Sequence, residues 1–403
     1  MDVASGDLGG ADETHGHRPP GALREVALLM FRLGWTAFGG PAAHIAMLRD
    51  EVVIRRKWLS DQEYLDLIGA ANLIPGPTST EVVIHTSHRR AGWPGIFVGG
   101  SLFILPAVFL VLVFAWLYVE YGETTTGENL LYGIKPVIIA IVAQAIWGLG
   151  RTALKGPFLI AGAVVAMALY LLGINEIVLL FGIALVVMLA RNLHRLRGSG
   201  TSMSLAFVPP NVLRLPGLPE IAATATDAYS HFQMFWSFLK IGTVLYGSGY
   251  VLLAFLESEF VGRLGWLTQE QLIDAVAVGQ FTPGPVFTTA TFVGYVAGGF
   301  PGAMVATAGI FLPAFIFVAI SVPILPRIRK SPWTAAALDG VNVAAIGLMA
   351  GVTVELAEAA FVDIVTVIMA VIAAIALIRF RINSAWIVAA GGIIGIVYQG
   401  LVG

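Results

Sequence analysis

Asn72-Leu73-Ile74-Pro75-Gly76-Pro77-Thr78-Ser79-Thr80 and Gln280-Phe281-Thr282-Pro283-Gly284-Pro285-Val286-Phe287-Thr288 carry the same tripeptide inside otherwise apolar sequence. Two prolines one residue apart forbid a continuous helix. Each lacks a backbone donor and pushes the residue before it out of the helical region. Proline nevertheless suits the first turn of a new helix. Each stretch therefore reads as helix, break, helix. In a membrane such a break must be buried in protein or line a polar cavity, because hydrocarbon cannot satisfy freed backbone groups.

Composition supplies the membrane. Of 403 residues, 57% are hydrophobic and 12% charged, and mean hydropathy is +0.84. Soluble domains carry about a quarter charged residues, so a polytopic, all-α membrane protein is expected, with the lipid bilayer as a partner. Residues 1–24 are polar, contain Asp2, Asp7, Asp12 and Glu13, and read as a disordered tail rather than a removable signal peptide. His15 and His17 lie in that tail and do not by themselves make a metal site. With no cysteine there is no disulfide framework and no thiolate chemistry. Neither a metal nor a cofactor is expected, and a net charge of −2 offers nothing to nucleic acid.

The tripeptide is part of a longer repeat. Under a shift of 207 residues, Thr36 meets Thr243, Gly40 meets Gly247, Pro94-Gly95 meets Pro301-Gly302, Leu105-Pro106 meets Leu312-Pro313, and Gly133 meets Gly340. With one inserted residue, Trp58-Leu59-Ser60 meets Trp266-Leu267-Thr268, Asp66 meets Asp274, and the two Pro-Gly-Pro motifs superpose. Apolar length, at about 20 residues per crossing, places spans near 26–48, 94–118, 134–150, 157–172 and 174–190, and again near 232–256, 301–325, 335–357, 363–379 and 384–402. The domains expected are a tail over 1–24, a first repeat over 25–192, a linker over 193–230 and a second repeat over 231–403.

Basic loops stay in the cytoplasm. His88-Arg89-Arg90 follows the first Pro-Gly-Pro stretch, whereas its counterpart, residues 295–300, is uncharged. Glu120, Glu123 and Glu128 follow the next span of the first half, and the equivalent loop holds Arg327, Arg329 and Lys330. Opposite bias in equivalent loops predicts two repeats of inverted topology. Ten transmembrane helices satisfy this if each Pro-Gly-Pro hairpin, near 63–90 and 270–298, enters and leaves on one side. Both chain ends then fall outside.

Inverted repeats with discontinuous helices are the pattern of secondary transporters, whose substrate sits near the midplane where half-helix ends meet. Free N–H groups of a first helical turn, joined by hydroxyls, form an anion site. Pro75, Gly76, Pro77, Thr78, Ser79 and Thr80 in one half, with Pro283, Gly284, Pro285 and Thr288 in the other, are the candidate substrate-binding residues; a purely structural kink is the alternative. Asn72 and Gln280 each precede a break and either bond an oxyanion or satisfy the broken backbone. Arg32 and Lys240 occupy corresponding places within the first span of each half. A charge there costs roughly 2.5–3.5 kcal/mol, so they either serve the substrate or snorkel to the interface. Gly39, Gly40, Gly247 and Gly249 interrupt the same spans, as hinges or as points of close packing. Glu81 and His85, one turn apart, form a proton relay or a local pair. His44 reads as structural, and Lys135 as an interface anchor or a buried functional charge.

Phe31-x-x-Gly34-x-x-x-Phe38-Gly39-Gly40-Pro41, Asn72-Leu73-Ile74-Pro75-Gly76-Pro77-Thr78-Ser79-Thr80 and Arg90-Ala91-Gly92-Trp93-Pro94-Gly95 resemble the chromate ion transporter family, and Gly279-Gln280-Phe281-Thr282-Pro283-Gly284-Pro285 resembles its second domain. The likeness runs from about residue 25 to 400. It implies the long-chain form with two homologous halves of opposite orientation, and export of chromate across the bacterial inner membrane driven by the electrochemical gradient. It also implies sulfate, a similar tetrahedral dianion, as competitor or substrate. The rival on the same scaffold is an importer of sulfate or another oxyanion. A homodimer is compatible with either. Val286-Phe287 in place of Thr78-Ser79, and Tyr246-Gly247-Ser248-Gly249 in place of Phe38-Gly39-Gly40-Pro41, set the halves apart. An enzyme is disfavoured: there is no His-Glu-x-x-His, no Gly-x-Ser-x-Gly and no cysteine.

Overall fold

Two short, interrupted helical hairpins precede the first long apolar helix. The computed structural model describes residues 20–38, 40–198, 229–246, 249, 251–328, 332–380 and 382–402, and among these the chain is helical with no strand. In the first half, α1 (Ala22–Thr36) is followed by α2 (Gly40–Arg49), which runs into a π-helical turn (Asp50–Arg55). Then come α3 (Asp61–Ala71) and α4 (Thr78–Ala91), separated by the first Pro-Gly-Pro. The remaining helices of this half are α5 (Trp93–Tyr121), α6 (Thr125–Ala153), α7 (Pro157–Leu171) and α8 (Glu176–Gly198).

The second half presents α9 (His231–Val244), then α10 (Leu252–Leu256) running into a π-helical turn (Glu257–Arg263). α11 (Gln269–Phe281) leads to the second Pro-Gly-Pro, and a 3₁₀ turn (Val286–Thr288) opens α12 (Thr289–Ile328). α13 (Pro332–Ala360), α14 (Ile364–Arg379) and α15 (Ser384–Val402) complete it.

Matched residues adopt matched local structure. Ser60 with Glu63 and Thr268 with Gln271 form capping boxes at the starts of α3 and α11, satisfying orphan donors reciprocally. Trp58 N–H bonds Val52 C=O at 2.7 Å, and Trp266 N–H bonds Phe260 C=O at 2.9 Å. Gly92 (φ 67, ψ −155) separates α4 from α5, and Gly299 (φ 61, ψ −158) kinks α12 at the corresponding place. A Cβ on Gly34 would lie 2.7 Å from Phe103 O, and one on Gly242 would lie 2.6 Å from Ile310 O. These glycines let α1 and α9 pack directly on the backbones of α5 and α12.

The stretches expected as single crossings at 26–48 and 232–256 differ from that expectation. α1 stops at Thr36 and the chain turns at Ala37–Gly40, with Gly40 at φ 77. Arg90, at the end of α4, bonds Glu25 at the start of α1 at 2.7 Å and stacks 5.1 Å over Trp58, just past the π turn. Both ends of this segment therefore meet at one end of the bundle, beside Arg90 rather than across from it. The reason is the break: Gly40, in left-handed backbone at φ 77, turns the chain before a single helix could continue across. Glu63 and Arg89, 2.9 Å apart, bring together the outer ends of the Pro-Gly-Pro hairpin. In the second half Tyr229 plays the gathering role. Its ring lies 5.1 Å from Trp266, and a Cβ on Gly298 would fall 2.1 Å from its hydroxyl.

α5 and the later part of α12 run antiparallel. Ile96 shares a cluster with Val318 and Phe97 stacks on Phe315, while at the other end Tyr118 and Gly122 share a cavity with Val296, just before the kink where the later part begins. Thr268 and Ala360 line the same cavity. Arg191 pairs with Asp339 near the start of α13, whereas Tyr229 lies near the end where α13 finishes. Trp93–Tyr121, Thr125–Ala153, Val286–Val322, Trp333–Ala360 and Ser384–Val402 are long and apolar enough to cross a membrane, and Pro157–Leu171 and Ile364–Arg379 are shorter apolar helices. The chain is a multi-pass helical membrane protein. Gly39 and Gly247, the tail up to residue 19 and most of the linker lie outside the described residues, and α1 already begins at Ala22.

Because the chain has no cysteine, introduced ones report alone. Lys57→Cys and Lys155→Cys, at one end of the bundle, are expected to react with a membrane-impermeant maleimide from one side of the membrane only. Glu123→Cys and Val362→Cys are expected to react from the other. Labelling of all four from the same side would contradict this arrangement.

Candidate functional site

Each Pro-Gly-Pro is held by the interrupted first element of the other half. Gly76 N–H donates to Leu245 C=O at 2.7 Å, and Gly284 N–H donates to Ala37 C=O at 2.9 Å. Ala37 and Leu245 are the residues at which α1 and α9 end. The carbonyl freed where one helix stops thus accepts the N–H freed where the other breaks. Gly76 (φ 136) and Gly284 (φ 86) sit in left-handed backbone that glycine adopts without strain. Pro77, Gly76 and the whole of Pro283, Gly284 and Pro285 are buried, and Pro75 is half-buried.

The helix after the first break is polar and buried. Thr78, Ser79, Thr80, Glu81, His85, Thr86 and Ser87 all lie inside the protein. The first backbone bond closing α4 runs from Thr80 N–H to Pro77 C=O at 2.8 Å. The hydroxyls of Thr80 and Thr86 and both carboxyl oxygens of Glu81 have no hydrogen-bond partner among the described residues. Glu81 folds back beneath the break, so that a Cβ on Gly76 would lie 2.3 Å from Glu81 Oε1. Burying an ionised carboxylate without a partner is costly; a neutral acid or a bound ligand relieves that cost. The second half offers less. Thr288 Oγ1 donates to Pro285 C=O and Thr289 Oγ1 to Val286 C=O, each at 2.8 Å, so these hydroxyls serve their own backbone.

His44 connects the two breaks. Its Nε2 lies 3.0 Å from Ala37 O, the same carbonyl that accepts Gly284 N–H. A carbonyl only accepts, so Nε2 carries the hydrogen, and in the neutral ring Nδ1 accepts from Ser79 Oγ at 3.3 Å. The line runs from Gly284 through Ala37 and His44 to Ser79. A lone histidine in apolar sequence gave little sign of it. His85 points elsewhere: its Nε2 lies 3.3 Å from Ser321 Oγ of α12, whose own hydrogen goes to Val318 C=O. Glu81 and His85 share a helix face but are not bonded to each other.

The charges expected at the site have carboxylate partners. Arg32 pairs with Glu51 at 2.5 Å, and Arg55 and Arg56 approach the same carboxylate at 3.2 Å. Lys240 pairs with Glu259 at 2.8 Å, which also accepts from Ser237 and Arg263 at 2.5 Å. Glu51 and Glu259 both lie in the π-helical turns, a distortion common where function requires it. Sequence reading missed both glutamates. The signal was present, since Glu51 with Arg55 and Glu259 with Arg263 recur in the same one-residue slip as Arg32 and Lys240. Asn72 is exposed at the end of α3, Gln280 is buried, and Gly249 packs against Val286. Gly284→Ala would strain the backbone and set its Cβ 2.8 Å from that of Ala107. A loss of about 2–5 kcal/mol is expected in unfolding measurements in detergent.

The sequence matches the chromate transporter family over residues 24–189 and 232–396. A chromate transport protein of Cupriavidus metallidurans is 31% identical over 391 residues, 94% of each chain. A chromate transport protein of Pseudomonas aeruginosa is 32% identical over 346 residues, 84% of this chain and 82% of that one. A probable chromate transport protein of Synechococcus elongatus is 29% identical over 368 residues, 89% of this chain and 90% of that one. No solved structure matches the chain. Matched in both halves and along nearly the whole length of its relatives, the chain belongs to the chromate transporter family.

Proposed function

We propose that this protein is a secondary transporter that exports chromate across the inner membrane, holding the dianion where the two Pro-Gly-Pro breaks cross. The observation that carries this reading is the convergence of both breaks, through reciprocal backbone bonds, on the buried hydroxyl-rich start of α4. A helix N-terminus offers N–H groups and a positive dipole end to an anion, and Thr78, Ser79 and Thr80 add hydroxyls. The names of the relatives support chromate as cargo.

The antiparallel course of α5 and α12 supports two inverted repeats, about 25–192 and 231–403, that rock against each other. On this reading α5–α8 and α12–α15 cross the membrane, and the four preceding hairpins are re-entrant.

Physics permits export without a coupled ion. Moving one charge through 100 mV is worth about 2.3 kcal/mol, so a dianion leaving an inside-negative cell gains about 4.6 kcal/mol. At about 1.4 kcal/mol per decade, that supports a gradient of roughly a thousandfold. Glu81 adds a proton-dependent element: as a neutral acid it donates to the oxyanion, and as a carboxylate it repels it. Arg32 and Lys240, each sharing a carboxylate with other cations, leave local positive excess that draws anions toward the breaks.

Everted vesicles containing the protein are expected to accumulate chromate in proportion to an imposed potential, with excess sulfate competing. Sulfate uptake by intact cells without chromate accumulation would favour the importer. Glu81→Gln is expected to keep transport with an altered pH profile; an unchanged pH profile would remove Glu81 from the site. Arg32→Ala is expected to abolish transport without reducing membrane insertion, and Glu51→Gln in the same chain should not restore it. Restoration would mean that Arg32 only neutralises Glu51.

A further inference from the structure

A polar cavity lies at the end of the bundle opposite Arg90. Its volume is about 570 Å³, and the end of α5, the start of α6, the start of α11 and the end of α13 line it. Asp274 of α11 forms part of its wall and is only 2% exposed. Asp274 Oδ2 accepts from Tyr118 Oη at 3.0 Å, while Oδ1 has no hydrogen-bond partner among the described residues. On its other side Asp274 borders a groove lined mainly by apolar residues such as Leu117, Leu130 and Phe281. The carboxyl therefore stands between water and hydrocarbon with one oxygen unused.

The groups facing it are mixed in sign. Glu270, one turn earlier on α11, pairs with Lys135 of α6 at 3.3 Å. Glu123 from the α5–α6 connection and Glu128 and Tyr132 from α6 share the cavity, with Tyr132 donating to Asp363 at 2.5 Å. α13 and α15 contribute Ala359, Ala360, Val388 and Gly392, none of them titratable. Lys135 is thus already engaged by Glu270 and does not reach Asp274 as a hydrogen-bond partner. Among the described residues no cluster of metal-ligating side chains occurs, so a coordinated cation has too few ligands here. A proton needs only the one free oxygen.

We propose that Asp274 is a protonation site, filled from this cavity, whose occupancy is coupled to movement of the anion. The proton passes from cavity water to Oδ1, and the neutral acid keeps its bond from Tyr118. The equivalent residue, Asp66 on α3, is half-buried and accepts from Gln62 at 2.9 Å, so the two halves present this carboxyl in different surroundings. The protonation site stands on geometry alone. Its coupling rests on the transport reading above.

Dicyclohexylcarbodiimide adds to protonated carboxyl groups in apolar surroundings, and peptide mapping identifies the residue modified. In membranes holding the full chain, Asp274 is expected to be modified at low pH and progressively spared as pH rises. Tyr118→Phe, which removes the one donor to its carboxylate, should move that loss to higher pH. Absence of modification at every pH at which the protein stays folded overturns the site. In vesicles clamped at zero potential, a pH gradient should drive chromate in the wild type and not in Asp274→Asn, which retains chromate–chromate exchange. Equal pH-driven movement in that variant overturns the coupling. Modification of Asp274 in a wild-type protein that moves no chromate would instead leave the site standing and overturn the cargo.

Discussion

Two backbone hydrogen bonds hold the centre together. A helix that breaks inside a membrane frees groups that lipid cannot satisfy. Here the N–H of Gly76 and the carbonyl of Leu245 answer each other, as do the N–H of Gly284 and the carbonyl of Ala37. Each half supplies what the other lacks, so neither break is satisfied alone. The glycines that allow this are the same ones that allow close approach. Ala107 and Ala314 lie against Gly284 and Gly76 respectively, and a side chain at either glycine would intrude.

From that crossing outward the structure is a contest between reach and burial. α1 and α9 end at breaks where the chain turns back, and their basic residues meet glutamates in the returning arm. A carboxylate there, 9% exposed in Glu51 and 5% in Glu259, needs its cations: removing one partner of a buried pair leaves an uncompensated charge. The π-helical turns bring those carboxylates round to face α1 and α9. The same economy fails at both carboxyl oxygens of Glu81 and at one of Asp274, which are buried with no hydrogen-bond partner among the described residues. Stability gains nothing from such groups, which is why they are the ones read as functional.

The two halves share a plan but not a chemistry. Thr78, Ser79, Glu81 and His85 in one become Val286, Phe287, Thr289 and Phe292 or Val293 in the other under the repeat. The hydroxyls of Thr288 and Thr289 turn back onto carbonyls just before them, whereas those of Thr80 and Thr86 have no partner among the described residues. One break opens onto Thr78 and Ser79, the other onto Val286 and Phe287.

Much of this was legible in the chain. Proline geometry fixed the breaks, hydropathy fixed the membrane and the helical class, and Thr36 with Thr243 and the paired tryptophans Trp58 and Trp266 marked the repeat. The count of crossings was less legible. Hydropathy cannot separate an apolar helix that crosses from one that enters and turns back, and Gly39-Gly40-Pro41 carried the only local hint at 26–48. Partners were not legible at all. That Arg32 meets Glu51, that His44 joins Ala37 to Ser79, and that Gly76 bonds Leu245 depend on residues up to 169 positions apart. Local sequence dictates backbone breaks because proline and glycine act on their own dihedrals. Which groups then satisfy those breaks is decided only when distant helices pack.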